Sequence, residues 1–230
     1  MRVEFITFLR REVYRFLVLY KQTIIPALIS SLLYIIVFGT TLGTRISSIN
    51  GIPYINYIIP GLAMMSVINQ AYQNSASSIM QGKYLKFIED ILVAPLSGFE
   101  ISLGYIIGGA LRGLICGLGI LFICLFLTDL KIQNFVLTIF YLLTVSWTFS
   151  AFGVIIGIYA KSWDEIGTFT NFVFMPLTFL GGVFYSIDML PPLWRNISYI
   201  NPIYWMISGL RYSTIGLEEN ANLISLFICF

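Results

Sequence analysis

The chain has 230 residues, of which 58% are apolar or aromatic and only 10% charged, and its mean hydropathy is +0.87. Soluble proteins carry about 25% charged residues, and a sphere of this size cannot hide so much apolar surface from water. Soluble enzymes, nucleic-acid binders and disordered chains are therefore excluded, and a net charge of +2 gives no reason to expect a nucleic-acid partner.

Residues 1–21 mix Arg2, Arg10, Arg11, Arg15 and Lys21 with apolar residues. On a helical wheel Ile6, Leu9, Val13, Phe16, Leu17 and Tyr20 fall on one side and Glu4, Arg11 and Arg15 on the other, the pattern of a helix lying in the membrane interface. The stretch is long, contains two glutamates and leads to no small-residue cleavage site, which argues against a signal peptide. A first span is expected over 23–43, about 30 Å of helix, with Pro26 in its first turn. A polar loop, Thr44 to Gly51, leads to a second span over 54–75. Its second half, SVINQAYQNSASS, either lines a bundle interior or marks the exit from the membrane.

After the hydrophilic residues 76–100, spans are expected over 101–127, 135–160 and 166–185, the last interrupted by Pro176 and closed by Gly181-Gly182. Residues 186–220 are neither cleanly apolar nor cleanly polar, and an apolar run over 221–230 makes a partial sixth span. Basic residues gather in 1–21, at Lys83 and Lys86, and at Lys161, against Arg45, Lys131, Arg195 and Arg211 on the other side, which predicts a cytoplasmic amino terminus. Cys116, Cys124 and Cys229 lie in apolar runs without a CxxC pair, and histidine is absent, so neither a metal centre nor a His-based nucleophile is expected.

Two stretches stand out. In Gly82 to Ile101, Lys83, Lys86 and Asp90 recur on one helical face and Leu85, Ile88 and Leu92 on another, and Pro95 stops the helix. This predicts a short amphipathic helix over 83–94, either resting on lipid or docking a protein. In Pro176 to Arg211, Gly181-Gly182 permits a tight turn, Asp188 is placed to cap a helix begun by Pro191 and Pro192, and Asn201-Pro202 ends that helix and starts another. Two short half-buried helices within 188–216 fit better than a full span.

Glu89-Asp90-Ile91-Leu92-Val93-Ala94-Pro95-Leu96-Ser97, with Glu100 and Gly104, resembles the E-x-L-L-x-x-P-L-S signature of ABC-2 type permeases. Phe179 to Tyr185, Leu190-Pro191, Asn201-Pro202 and Arg211 resemble the same family's second signature. The resemblance implies an all-α polytopic membrane protein: six spans, an interfacial amino-terminal helix, a cytoplasmic coupling helix and external re-entrant helices. It further implies the permease subunit of an ABC exporter, in the bacterial inner membrane, paired with a second permease subunit and with separate ATPase subunits. Lys83, Lys86, Glu89, Asp90, Leu92 and Pro95 would then couple to the ATPase. Gly181, Gly182, Pro191, Asn201, Pro202 and Arg211 would form an external gate.

The residues agree with that division of labour. No G-x-x-x-x-G-K-[ST] occurs, so this chain has no phosphate cradle, and ATP and Mg are expected on the partner. The alternative is a stand-alone secondary carrier or channel; no acid falls well inside an expected span, which argues against a proton-coupled carrier and against a membrane-embedded lipid-modifying enzyme. Arg112 lies near mid-depth of the third span. It either faces the translocation path and meets an anionic head group, or bonds to carbonyls where Gly108, Gly109 and Gly113 mark a close helix contact, or snorkels from a span that starts later. Gly153-x-x-x-Gly157 is a second expected helix contact. Asn196-Ile197-Ser198 fits a glycosylation acceptor but is short and common. The final run gives only about 15 Å of helix where about 30 Å is needed, so the expectation is a truncated reading of a longer permease.

Overall fold

The computed structural model describes residues 3–46 and 48–217. Helix α1 (Val3–Val18) breaks at Leu19 and leads through one turn, α2 (Tyr20–Thr23), to α3 (Ile25–Thr41), whose early Pro26 forfeits no internal hydrogen bond. Strands β1 (Ser48–Ile49) and β2 (Ile52–Pro53) pair antiparallel across Asn50-Gly51, whose φ angles of 50° and 79° are those a tight hairpin turn demands. The expected loop is thus partly a hairpin, and Asn-Gly was its signal.

Helices α4 (Tyr54–Tyr84), α5 (Ile88–Val93), α6 (Gly98–Leu127) and α7 (Phe135–Tyr159) follow. The next rod has three pieces: α8 (Trp163–Phe169), a π-helical turn (Thr170–Phe174) and α9 (Met175–Leu180). Pro176 cannot donate to the carbonyl of Phe172 and its ring crowds that carbonyl, and the wider π turn lies just where this strain falls. Gly182, at φ 75°, then reverses the chain. The rod therefore ends at Leu180 and not at the expected 185. A 3-10 turn (Ile187–Met189), α10 (Pro192–Ile200) and α11 (Pro202–Ile215) complete the described chain. The expected sixth span, 221–230, lies outside the described residues.

Among the described residues three stretches are long and apolar enough to cross a membrane, Tyr20–Thr41, Gly98–Leu127 and Phe135–Tyr159. Their helices match the expected first, third and fourth spans to within a few residues at each end. Helix α4 is as long but half polar, and it runs on to Tyr84 instead of ending at Ser75. It is the axis of the bundle: Tyr57, Ile58, Ile59, Met64, Ile68 and Tyr72 are fully buried within the main core, where α3, α6, α7 and α11 surround it.

The polar half of α4 lines the bundle interior. Ser75 Oγ donates to the carbonyl of Tyr105 at 3.2 Å and meets Ser150 Oγ at 2.6 Å, Ser150 Oγ donates to Ile106 O at 2.8 Å, and Ser146 Oγ donates to Ala110 O at 2.5 Å. The glycines make this closeness possible. A Cβ at Gly113 would lie 2.5 Å from Ser146 Oγ and 2.9 Å from Ala71 Cβ, and one at Gly153 would lie 2.5 Å from Tyr72 O. Both glycine contacts expected from the sequence are present, and they join α4, α6 and α7 in one junction.

Helix α1 buries Phe5, Phe8, Glu12 and Phe16 against the bundle and leaves Ile6 and Leu17 of its apolar wheel side exposed. Phe8 fills the space over Gly104 and Glu12 that over Gly108, so α1 packs along the first turns of α6. The helix expected over 83–94 is broken. Lys83 belongs to the last turn of α4, Lys86 sits at φ 61°, and α5 starts at Ile88. The break turns Phe87 and Ile88 back under Gly82 into a satellite core with Phe8, Ile79, Ile91, Tyr105 and Val154.

Candidate functional site

At the end of the bundle that carries α5, the six residues picked out as coupling residues separate into two groups. Lys83 Nζ donates to Ile158 O at 2.5 Å and to Ala160 O at 3.0 Å, so it caps the carboxyl end of α7, where a cation also suits the helix dipole. Lys86, Glu89, Asp90, Leu92 and Pro95 are exposed. Tyr84, Leu85, Val93 and Phe99 of the same stretch are exposed as well, so charged and apolar side chains alternate over its surface, where Leu92 is 66% and Val93 86% exposed. Beneath it Ile91 is buried in the satellite core.

Sequence reasoning missed three parts of this end. Arg11 lays its guanidinium 4.2 Å over the ring of Phe87, pinning α1 to the α4–α5 turn. A groove of about 480 Å³ separates α1 from α5, lined by Thr7, Phe8, Arg11, Phe87, Asp90 and Ile91 among others. Ser97 and Glu100 form a capping box: Ser97 Oγ accepts from Glu100 N at 3.3 Å, and Ser97 N donates to Glu100 Oε2 at 2.8 Å. The Ser-x-x-Glu spacing was its visible signal.

At the opposite end Arg211 is the organiser. It is 1% exposed, donates from Nη2 to Gly182 O at 2.6 Å and Val183 O at 3.1 Å, and donates from Nε to Tyr57 O at 3.3 Å. Its guanidinium also stacks 3.8 Å over the Tyr57 ring. Tyr54 and Tyr57 hydroxyls donate to Phe184 O and Tyr185 O at 3.1 and 3.3 Å, so the whole Gly181–Tyr185 reversal is strapped to the start of α4. Asn201 ties the other side: its Nδ2 donates to Leu177 O at 2.6 Å while its Oδ1 caps α11 through Ile203 N at 3.0 Å. The structure thus brings Gly181, Gly182, Asn201, Pro202 and Arg211 together. Pro191, at the exposed start of α10, stands apart, and Asp188 pairs with Arg195 at 2.6 Å instead of capping that helix.

Between the two ends lies a third cluster. Arg112, buried at 7% exposure, donates from Nη2 to Gln70 Oε1 and from Nη1 to Asn74 Oδ1 at 3.5 Å. Arg15 Nη2 reaches the same Asn74, at 3.0 Å to its backbone oxygen and 3.1 Å to Oδ1. Glu12 is 1% exposed, accepts from Ser78 Oγ at 2.5 Å and lies 3.7 Å from Arg15 Nε. A buried carboxylate is therefore present. It escaped the sequence reading because it is delivered by α1, not by a span.

A sequence profile of the family described as "ABC-2 type transporter" matches residues 3–215. The chain is 42% identical over 209 residues to the inner membrane transport permease YadH of Escherichia coli (strain K12), covering 91% of this chain and 82% of that one. Similarity extends to nodulation protein J of Rhizobium leguminosarum bv. viciae, 22% identical over 197 residues and covering 84% and 75%. With apolar helices of spanning length, a bundle built on a buried α4 and both signature stretches folded into ordered ends, the chain belongs to the ABC-2 type transporter family of membrane permeases.

Proposed function

We propose that this chain is the permease subunit of an ABC exporter in the bacterial inner membrane, with its amino terminus in the cytoplasm. It works beside a second permease subunit and moves an amphipathic or lipid-linked substrate. ATP and Mg are bound by separate ATPase subunits. The observation that carries this reading is the α5 surface, where Tyr84, Leu92, Val93 and Phe99 are exposed together with Glu89 and Asp90 while Ile91 is buried. Exposed apolar groups around acidic ones suit a protein surface better than water. A push on that face is felt at once by α1, α4, α6 and α7, because Phe8, Ile79, Tyr105 and Val154 pack with Ile91.

The clamp at Arg211 supports a gate at the far end, since it joins α11 and the Gly182 turn to the start of α4. The test is Glu89→Lys or Asp90→Lys in the chain co-expressed with its ATPase. Export is expected to fall at least tenfold with membrane insertion unchanged, and the ATPase to co-purify less. Full ATP-driven export by both variants would refute the coupling role. The carrier alternative draws on buried Glu12; it requires transport that persists without ATP and collapses with the proton gradient.

A further inference from the structure

The cluster around Arg112 has more positive charge and more donors than the described residues satisfy. Two guanidiniums, Arg15 and Arg112, converge on the single amide oxygen of Asn74, with one carboxylate, Glu12, on the Arg15 side. Among the described residues Arg15 Nε, Arg112 Nε, Asn74 Nδ2 and the Tyr105 hydroxyl are buried without hydrogen-bond partners, against one unmet acceptor of the cluster, Glu12 Oε1. Unmet donors and a surplus cation in a low-dielectric interior are costly until an acceptor joins them. Gln70, which holds Arg112 Nη2, also lines a groove of about 260 Å³ between α3 and α4, where Ser30, Ser31, Ser66 and Asn69 give polar walls. Ser66 Oγ and Asn69 Oδ1 are themselves buried and unpartnered.

We propose that Arg112, assisted by Arg15 and Asn74, is a binding site for one phosphate oxyanion, reached through the α3–α4 groove by displacing Gln70. Guanidinium forks match phosphate oxygens in pairs, and the phosphate brings the acceptors that the cluster lacks. Ser66 and Asn69 then face the hydroxyl or amide groups beside the phosphate. The site rests on the exporter reading for its purpose, but binding is measured without any ATPase, so either can fail alone.

The experiment uses the full chain in nanodiscs of phosphatidylcholine, with native mass spectrometry of retained lipid when phosphatidylglycerol is added, and a parallel arm with inorganic phosphate. Wild type is expected to retain phosphatidylglycerol over phosphatidylcholine, and Arg112→Gln to lose that preference about tenfold, as for loss of one charge-assisted pair. Gln70→Leu, which removes only the internal competitor for Arg112, is expected to retain lipid at least as well as wild type. Competition by inorganic phosphate at low concentration would assign the site to the free ion, and its absence to the head group. If Arg112→Gln fails to fold, wild type and Gln70→Leu decide. No preference for phosphatidylglycerol and no phosphate binding in wild type overturns the proposal, as does undiminished retention by a folded Arg112→Gln.

Discussion

Arg211 illustrates how one side chain replaces a layer of secondary structure. The reversal at Gly182 leaves carbonyls pointing inward with no helix or strand to satisfy them, and in a membrane protein water is not at hand to do so. The guanidinium supplies donors to Gly182 O, Val183 O and Tyr57 O at once, and the Tyr57 ring takes its face. Arg211→Met keeps the volume but leaves these carbonyls unmet. It is expected to destabilise the protein by about 3 kcal/mol, since each buried group left unpaired costs roughly 1–3 kcal/mol. Thermal denaturation in detergent, followed by the monodisperse fraction, measures this. Arg211→Lys is expected to recover only part, because an ammonium cannot fork to two carbonyls and stack on a ring together.

At the scale of the helix, the ends matter most where a functional face adjoins them. Ser97 begins α6 directly after the exposed α5 face, so its capping box fixes the point from which α5 is hung. Ser97→Ala removes the cap and is expected to cost about 1 kcal/mol, read as a lowered melting temperature, with Ser97→Asp restoring it. Helices with an unbroken apolar run and a clear cap, such as α6 after Ser97 and α7 after Asn134, were legible in the sequence almost to the residue. Helix α4 was legible only in its apolar half, because hydropathy assumes that Ser75, Ser78 and Asn74 seek water. Here they serve other helices' carbonyls and charges. On α1 the same holds of Glu12 and Arg15, which turn inward to Ser78 and Asn74. The stop at Lys86 had no signal in periodicity, since it follows from Phe87 seeking the core under Gly82.

Helices α3, α4, α6 and α7 alternate in direction, so the two ends of the bundle collect different chemistry. Helix α5, Lys83 and the carboxyl end of α7 meet at one end, while the hairpin, the Gly182 turn and the join of α11 to the α6–α7 connection meet at the other. There Gln133 N and Asn134 N donate to Thr214 O and Ser213 O at 3.0 and 2.9 Å. The proposed cytoplasmic amino terminus would turn the first set to the cytosol and the second outward. Arg45 and Lys86, both exposed, sample the two ends, and Cys116 and Cys124 are buried and free, so neither competes for a thiol reagent. Arg45→Cys in a background with Cys229→Ser is expected to react with a membrane-impermeant maleimide in cells stripped of their outer membrane. Lys86→Cys is expected to react only after the inner membrane is opened. The reverse pattern would place α5 outside, where no ATPase reaches it, and the exporter reading would fall with the orientation.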